Sequence, residues 1–446
     1  MITEESEHYM SSKLRRGQMV RSHTGKGYMI REFLGSGGQG EVFKAAEGGK
    51  EYAVKWYYPH TATEKQLALI KKLIAVGPPN DRFLWPLELL TDDRTKGFGY
   101  VMKLRDPNFK GIVALMKRKI EPSFYALTVA AIQMVDSFEK LHNKGLCYRD
   151  ISFGNVFMNP RTGDVFICDN DNVTHEKKAD KSILGTPRFM APEIVRGDSL
   201  PDVQTDLFSL SVLLFYMFMV HHPLEGKQEA SIKCFDLPAM RKLYGTNPVF
   251  IFDPMNSTNR PVKGLHDNAT VFWDLYPVFF KDAFTRSFTK GLRRFNSARM
   301  TEAQWKDALI RLKNSILKCS CGAENFYDLQ DVRAGRSKGC WACKTDLKIP
   351  ARIKVGKDII ILNEFTKIFA HHVSRDRLID FHKPLGQVIR NPKNRDQIGI
   401  RNLSEGDWHV KTKDGRALQV GRGRSVNLDI VTEIKFNDHA IGFVRA

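Results

Sequence analysis

The sequence predicts an α+β protein: a bilobal domain, then a small four-cysteine ribbon, then an all-β, sandwich-like C-terminal domain. Three observations predict it. A β-rich hairpin carries the stretch "LGSGGQGEV" and leads into a longer, largely helical part. Two cysteine pairs, Cys319/Cys321 and Cys340/Cys343, follow that part. Short strands separated by Asn-Pro, Asp-Gly and Gly-Arg-Gly turns fill the rest.

Size and composition set the frame. A chain of 446 residues, 42% of them hydrophobic, can build several cores. The formal charge of +19 is spread along the chain, which reads as a solvated basic surface. The opening "MITEESEHYM" is no secretion signal, and no apolar run reaches the ~20 residues that span a bilayer. The run "LFSLSVLLFYMFMVHHP" reads as a buried helix, and the expected compartment is the cytoplasm. Seven cysteines, four of them clustered, argue against a disulfide framework.

Gly35 to Gly40 fit G-x-G-x-x-G, which serves dinucleotides, triphosphates or plain turns alike. The neighbours decide. "EVFKAAEGGKEYAVKWY" gives two strands joined by a turn, so the glycines lie in a hairpin. A dinucleotide fingerprint needs a helix at once, and a Walker A loop needs Gly-Lys-Ser/Thr; both are missing. A flexible lid over ATP phosphates remains, with Gly35, Gly37, Gly38 and Gly40 letting backbone approach the phosphates. That lid calls for a lysine on the next strand, and Ala53-Val54-Lys55 supplies one. "TATEKQLALIKKLIAVGPP" is a helical pattern stopped at Gly77-Pro78-Pro79. Its one acid, Glu64, is either the partner of Lys55 or a solvated first-turn acid. "FGYVMKLRD" is a strand running into a connector that holds Met102, Lys103 and Leu104.

In "YRDISFGNVF" Asp150 and Asn155 are five apart. A carboxylate at an attacking hydroxyl and an amide reaching a phosphate-bound metal need that spacing. "VFICDND" puts Asp169 at the end of an apolar strand, where a second metal ligand belongs. "GTPRFMAPE" follows as Gly185 to Glu193, and Asp206 opens the long apolar helix.

With these pieces in this order, residues 28–316 resemble a eukaryotic-type Ser/Thr protein kinase domain, with an N-lobe of 28–103, a C-lobe of 104–316 and an extension of 1–27. The resemblance implies the bilobal protein-kinase fold. It makes Asp150 the catalytic base and Lys55 the phosphate anchor, with Asn155 and Asp169 holding Mg²⁺. Leu34, Val42, Ala53, Met102, Lys103 and Leu104 then complete the ATP pocket, and Glu193 pairs with Arg299. Thr186 faces the substrate. Thr174 and Ser182 are activation-segment hydroxyls whose phosphate Arg149 could bind. The chain departs from the family at four places. Tyr148 stands for His, and Ser152 for a lysine near the transferred group. Asp169-Asn170-Asp171 replaces Asp-Phe-Gly, so a polar Asn sits where an apolar stack is usual, and Asp171 adds charge near the metals.

The stretch from "PVFIFDPMNSTNRPVKG" to "YPVFFKDAFTRSFTKGL" reads as an elaborated C-lobe. Residues 317–349 hold Cys319, Cys321, Cys340 and Cys343, two thiol pairs on turns that suit a structural Zn²⁺ ribbon. Within the β-rich domain of residues 350–446, "NLSEGDWHVKTKDGRALQVGRGRSVNLDIVTEIKFND" resembles the second half of a forkhead-associated (FHA) domain, and that family's phosphate-reading Gly-Arg and Ser-His positions are not evident in 350–390. Kinase, ribbon and β-rich tail in this order resemble the bacterial kinases of the tellurite-resistance-associated phosphorylation triad. That likeness implies a von Willebrand A-domain protein and a PP2C-type phosphatase as partners. Two rivals stand beside the kinase reading: an ATP-binding pseudokinase scaffold, and a nucleic-acid-binding regulator using the ribbon and the positive charge.

Overall fold

The computed structural model describes residues 14–92, 95–175, 183–292, 298–336, 339–348, 351–391, 394 and 397–445. Six N-terminal strands close a barrel in the order β1-β2-β3-β4-β6-β5. They are β1 (Met19–Ser22), β2 (Gly27–Ser36), β3 (Gly40–Glu47), β4 (Lys50–Tyr57), β5 (Glu88–Thr91) and β6 (Gly99–Lys103). Alternation fills the barrel: Val20, Tyr28, Ile30, Phe43, Ala45, Val54 and Trp56 point inward. β1 corrects the expected extension of 1–27. It pairs with β2 and, across Arg21↔Thr91, with β5, so the lobe starts well before residue 28.

Helix α1 (Glu64–Val76) starts where Thr63 accepts a hydrogen bond from the Gln66 N–H, and ends at Gly77. Gly77 has φ +70°, and the two prolines after it cannot continue the helix. Ile70 and Leu73 bury the apolar face of α1 on the core.

The second lobe is built on α2 (Phe124–His142) and α3 (Val203–Met219). α3 is apolar all round and buried along nearly its whole length, as a helix through the middle of a core must be. An Asp202/Thr205 capping box starts it. α4 (Val278–Phe288) and α5 (Glu302–Asn314) pack beside it, and Trp305 donates to Ser211 Oγ at 3.1 Å. The elaborated stretch is an aromatic layer in which Phe252 stacks on Trp273 at 4.3 Å. Asn259 ties its loop down by donating to the carbonyls of Leu224 and Val249.

Beyond α5, β7 (Ile316–Lys318) and β8 (Glu324–Phe326) form the hairpin of the cysteine ribbon. The tail is a two-sheet sandwich around Ile353, Val388, Ile400, Trp408, Val410 and Ile434. One sheet has six strands and the other four. The larger joins both ends of the domain, because Arg352–Val355 pairs with Ala440–Arg445. The tail also grips the helical lobe. Ile379 is 4% exposed within the lobe's core, and its carbonyl accepts from Arg82 Nη2 at 3.4 Å. Lys357 and Arg377 both reach Asp307 on α5, at 2.6 and 3.1 Å. Lys313 of α5 is buried among the rings of Tyr125, Phe369 and Phe381. Burial pushes its pKa down to about 7.

Candidate active site

The glycine loop spans the β2–β3 turn, closed by Gly37 N–H donating to Gly40 O at 2.9 Å. Its glycines differ in kind. A Cβ at Gly35, Gly37 or Gly38 would meet nothing within 4 Å, so packing does not demand glycine there. A Cβ at Gly40 would sit 2.2 Å from the Trp56 carbonyl, so Gly40 is fixed by the close approach of β3 to β4. Between them Gln39 reaches into the cleft. Its Oε1 accepts from Lys55 Nζ at 3.2 Å and its Nε2 donates to Asn172 Oδ1 at 3.0 Å.

The residues expected around the base sit at the lobe junction. Ala53 and Met102 are register partners on β4 and β6, both buried. Val42, opposite Lys55, and Leu104 pack against the same core. Leu34 and Lys103 are exposed.

Lys55 is buried. Its Nζ lies 2.8 Å from Asp171 Oδ2 and 3.5 Å from Asp169 Oδ1. Burial disfavours its charge, but the two carboxylates outweigh that and push its pKa above the ordinary value. Glu64 is not the partner. It opens α1 on the exposed side, and α1 contributes Gln66 instead, whose Nε2 donates to the Tyr57 hydroxyl at 2.9 Å. That hydroxyl donates to Asp171 Oδ2 at 2.6 Å. Asn170 is fully buried and uses its polarity: Nδ2 donates to the carbonyls of Leu84 at 2.9 Å and Ile167 at 3.1 Å. The Asp-Asn-Asp turn is thus pinned to the segment before β5 by hydrogen bonds, in the place of the apolar stack usual in the resembled family. Asp169 takes φ +50°, a left-handed backbone that leaves its side chain half exposed in the cleft.

The loop bearing Asp150 hangs from α3. Asp206 accepts from the N–H groups of Tyr148 at 2.5 Å and Arg149 at 3.0 Å, and His142 Nε2 lies 3.2 Å from the same carboxylate. His142 also bonds Glu302 on α5. Burial alone would lower the His142 pKa, but these two acids push it up to about 9. Tyr148, where the resembled family has histidine, donates its hydroxyl to the Cys168 carbonyl. Asn155 Nδ2 donates to the Asp150 carbonyl at 2.8 Å and lies 3.3 Å from its Oδ2, which leaves Asn155 Oδ1 as an oxygen donor for a cation. Its carbonyl accepts from Cys168 N–H at 2.9 Å, tying the Asp150 loop to the Asp169 turn. Thr186 Oγ1 donates to Asp150 Oδ1 at 2.7 Å. An Asp carboxylate and an Asn carbonyl are hard oxygen ligands of the kind Mg²⁺ takes. Ser152 is buried beside them and brings no cation.

Two expectations for the activation segment change. Thr174 is buried in a two-residue ladder against Cys147, so it is no exposed loop hydroxyl. Arg149 Nε donates to the Asn172 carbonyl at 2.6 Å. Ser182 lies outside the described residues. The Glu193–Arg299 pair forms as expected, bidentate at 2.9 and 2.8 Å with both side chains 3% exposed.

The four thiols of Cys319, Cys321, Cys340 and Cys343 lie within 4.8 Å of one another. Cys319–Cys343 and Cys321–Cys340 are 3.6 and 3.7 Å apart, far beyond a disulfide bond. Those distances match the edges of a tetrahedron with ~2.3 Å metal–sulfur bonds, about 3.8 Å. Asn325 Nδ2 donates to Cys340 Sγ at 3.4 Å, orienting a ligand from outside the cluster.

The chain is similar to several known proteins. Protein kinase C delta type of Rattus norvegicus is 26% identical over 211 residues, 45% of this chain and 30% of that protein. The DNA damage-responsive serine/threonine-protein kinase RqkA of Deinococcus radiodurans is 25% identical over 214 residues, 46% of this chain and 31% of that protein. The cell cycle serine/threonine-protein kinase CDC5/MSD2 of Saccharomyces cerevisiae is 25% identical over 248 residues, 51% and 34% respectively. The chain spans about a third of the length of these relatives. Residues 102–275 match the family described as protein kinase domain.

Proposed function

We propose that this chain is an ATP-dependent protein kinase that transfers the γ-phosphoryl group to Ser or Thr of a protein partner. One observation carries the reading: Lys55, Asp169, Asn155 and Asp150 converge beneath the glycine hairpin, linked to one another by hydrogen bonds or ion pairs. The substrate hydroxyl attacks the γ-phosphorus as the bond to ADP breaks, and Asp150 orients that hydroxyl and takes its proton. Thr186 now holds Asp150 Oδ1, the position an acceptor hydroxyl takes over. Lys55 anchors the phosphates. Asn155 and Asp169 hold Mg²⁺, which neutralises charge on the phosphate oxygens when bound. Ser152 supplies no cation near the transferred group, so this duty falls on the remaining groups.

Around that core, Cys319, Cys321, Cys340 and Cys343 hold a structural Zn²⁺, with no ligand position left for chemistry. The sandwich is FHA-like in spirit and recruits a protein partner or regulates the kinase. A von Willebrand A-domain protein and a PP2C-type phosphatase fit as partners. No helix among the described residues is long and apolar enough to cross a membrane, and we place the chain in the cytoplasm.

The test is phosphoryl transfer from labelled Mg-ATP to protein acceptors, with Asp150→Asn beside the wild type. We expect the variant to lose about 10²–10⁴-fold in rate while it still binds ATP. Transfer that persists undiminished removes Asp150 from the chemistry. The pseudokinase reading draws on Ser152, Asn170 and Asp171; ATP binding without transfer in the wild type would favour it.

A further inference from the structure

We propose that Asp171 is the positioning residue that fixes the Lys55 ammonium for ATP, in the place a helix glutamate takes in the expected scheme. The inference rests on the ATP-binding reading above.

Helix α1 reads "EKQLALIKKLIAV", and its single acid, Glu64, lies on its exposed first turn. The helix therefore has no carboxylate to offer Lys55. Asp171 does. Its side chain is wholly buried, and Oδ2 takes both Lys55 Nζ at 2.8 Å and the Tyr57 hydroxyl at 2.6 Å. Its Oδ1 is buried without a hydrogen-bond partner. A buried carboxylate with one oxygen unsatisfied needs a cation, and Lys55 is the one beside it. Gln39 brings Lys55 only a neutral amide. Asp169 lies farther off, at 3.5 Å, and is half exposed. The turn thus divides its labour: Asp171 holds the lysine from behind, and Asp169 stays free to face a metal.

One consequence concerns control. α1 reaches this pair through Gln66 and the Tyr57 hydroxyl, a neutral hydrogen-bond link. Swinging α1 outward breaks a neutral hydrogen bond and leaves the Lys55–Asp171 pair intact. What moves Lys55 is the Asp-Asn-Asp turn, held at Asn170 by the Leu84 and Ile167 carbonyls.

Calorimetric titration of the full chain with ATP and with adenosine, in magnesium and again in EDTA, tests the role. Adenosine fills the base pocket without touching Lys55. Asp171→Asn is expected to weaken ATP about tenfold, with or without magnesium, and to leave adenosine within about twofold. Glu64→Ala is expected to weaken neither. Lys55→Met should cost ATP a similar factor, and Lys55→Met/Asp171→Asn no more than Lys55→Met alone, because Asp171 acts through the lysine. ATP affinity kept in Asp171→Asn, lost in Glu64→Ala, or lost additively in the double variant overturns the proposal. If Asp171→Asn fails to fold, adding Lys55→Met removes both charges and should restore folding; failure to restore it also overturns the role. A wild type that binds no ATP sinks the nucleotide reading, and this role with it, before any variant is made.

Discussion

The cleft and the cysteine ribbon both gather side chains that want a charged ligand, but they are held in different ways. In the cleft every important group has a protein partner. Lys55 has Asp171, Asp150 has Thr186 and Asn155, and the backbone of the loop hangs from Asp206. Two large apolar clusters lie above and below. Among the described residues the ribbon's small apolar cluster buries Leu317, Tyr327 and Ile361, and Ile361 belongs to the tail. Its four thiols face one another within 4.8 Å. A site framed by its own contacts keeps its shape without a ligand, whereas a site framed by four thiols depends on the ion.

Three measurements break or sharpen that contrast. On the proposed Zn²⁺ assignment, removing the metal has the largest expected effect, since structural Zn²⁺ sites contribute about 10–16 kcal/mol in small domains. Treatment with a chelator, or Cys340→Ser, should abolish amide protection in 316–347 while leaving α2 and α3 protected. Equal loss in both regions would mean that the C-lobe also depends on the ion. Next comes the Glu193–Arg299 pair. Glu193→Ala leaves a buried guanidinium unpaired and should cost about 3–5 kcal/mol, read as a lower thermal midpoint of the C-lobe. A change within 1 °C would show that Arg299's bonds to the Gly291 and Gln204 carbonyls suffice. The smallest effect is that of pH. With its pKa raised from 6.5 to about 9, protonated His142 stabilises the fold fully below about pH 6.5, and that contribution is lost as pH rises through about 9. Wild type should lose stability over that window relative to His142→Gln. Parallel curves for the two proteins would assign the pH dependence to other groups.

Legibility in the sequence followed distance along the chain. Asp150 with Asn155, the glycine hairpin with Lys55, and the stop at Gly77-Pro78-Pro79 are local patterns whose chemistry sets their spacing. Glu193 with Arg299 is a distant pair, and only the family likeness supplied it. The partner of Lys55 was not legible. Helix periodicity shows that Glu64 lies on α1, but the contact that matters joins β4 directly to a turn 116 residues on, with the Tyr57 hydroxyl on the same carboxylate oxygen. β1 was missed because it is four residues long and earns its place by pairing with Leu90 and Thr91. In the tail, turns such as Asp414-Gly415 were plain in sequence. The pairing of its first strand with its last was not, since nothing local encodes it.

The docking of Ile379 bears on where this protein can be cut. A fragment ending near residue 316 follows the boundary expected from the sequence, yet it leaves open the seat that Ile379 and Phe381 fill on the C-lobe. It also uncovers the rings' former guest, Lys313, and deprives Asp307 of both of its cations. Such a fragment presents a fresh apolar hollow to solvent and invites self-association. For expression and crystallisation the practical unit is the chain with its tail attached.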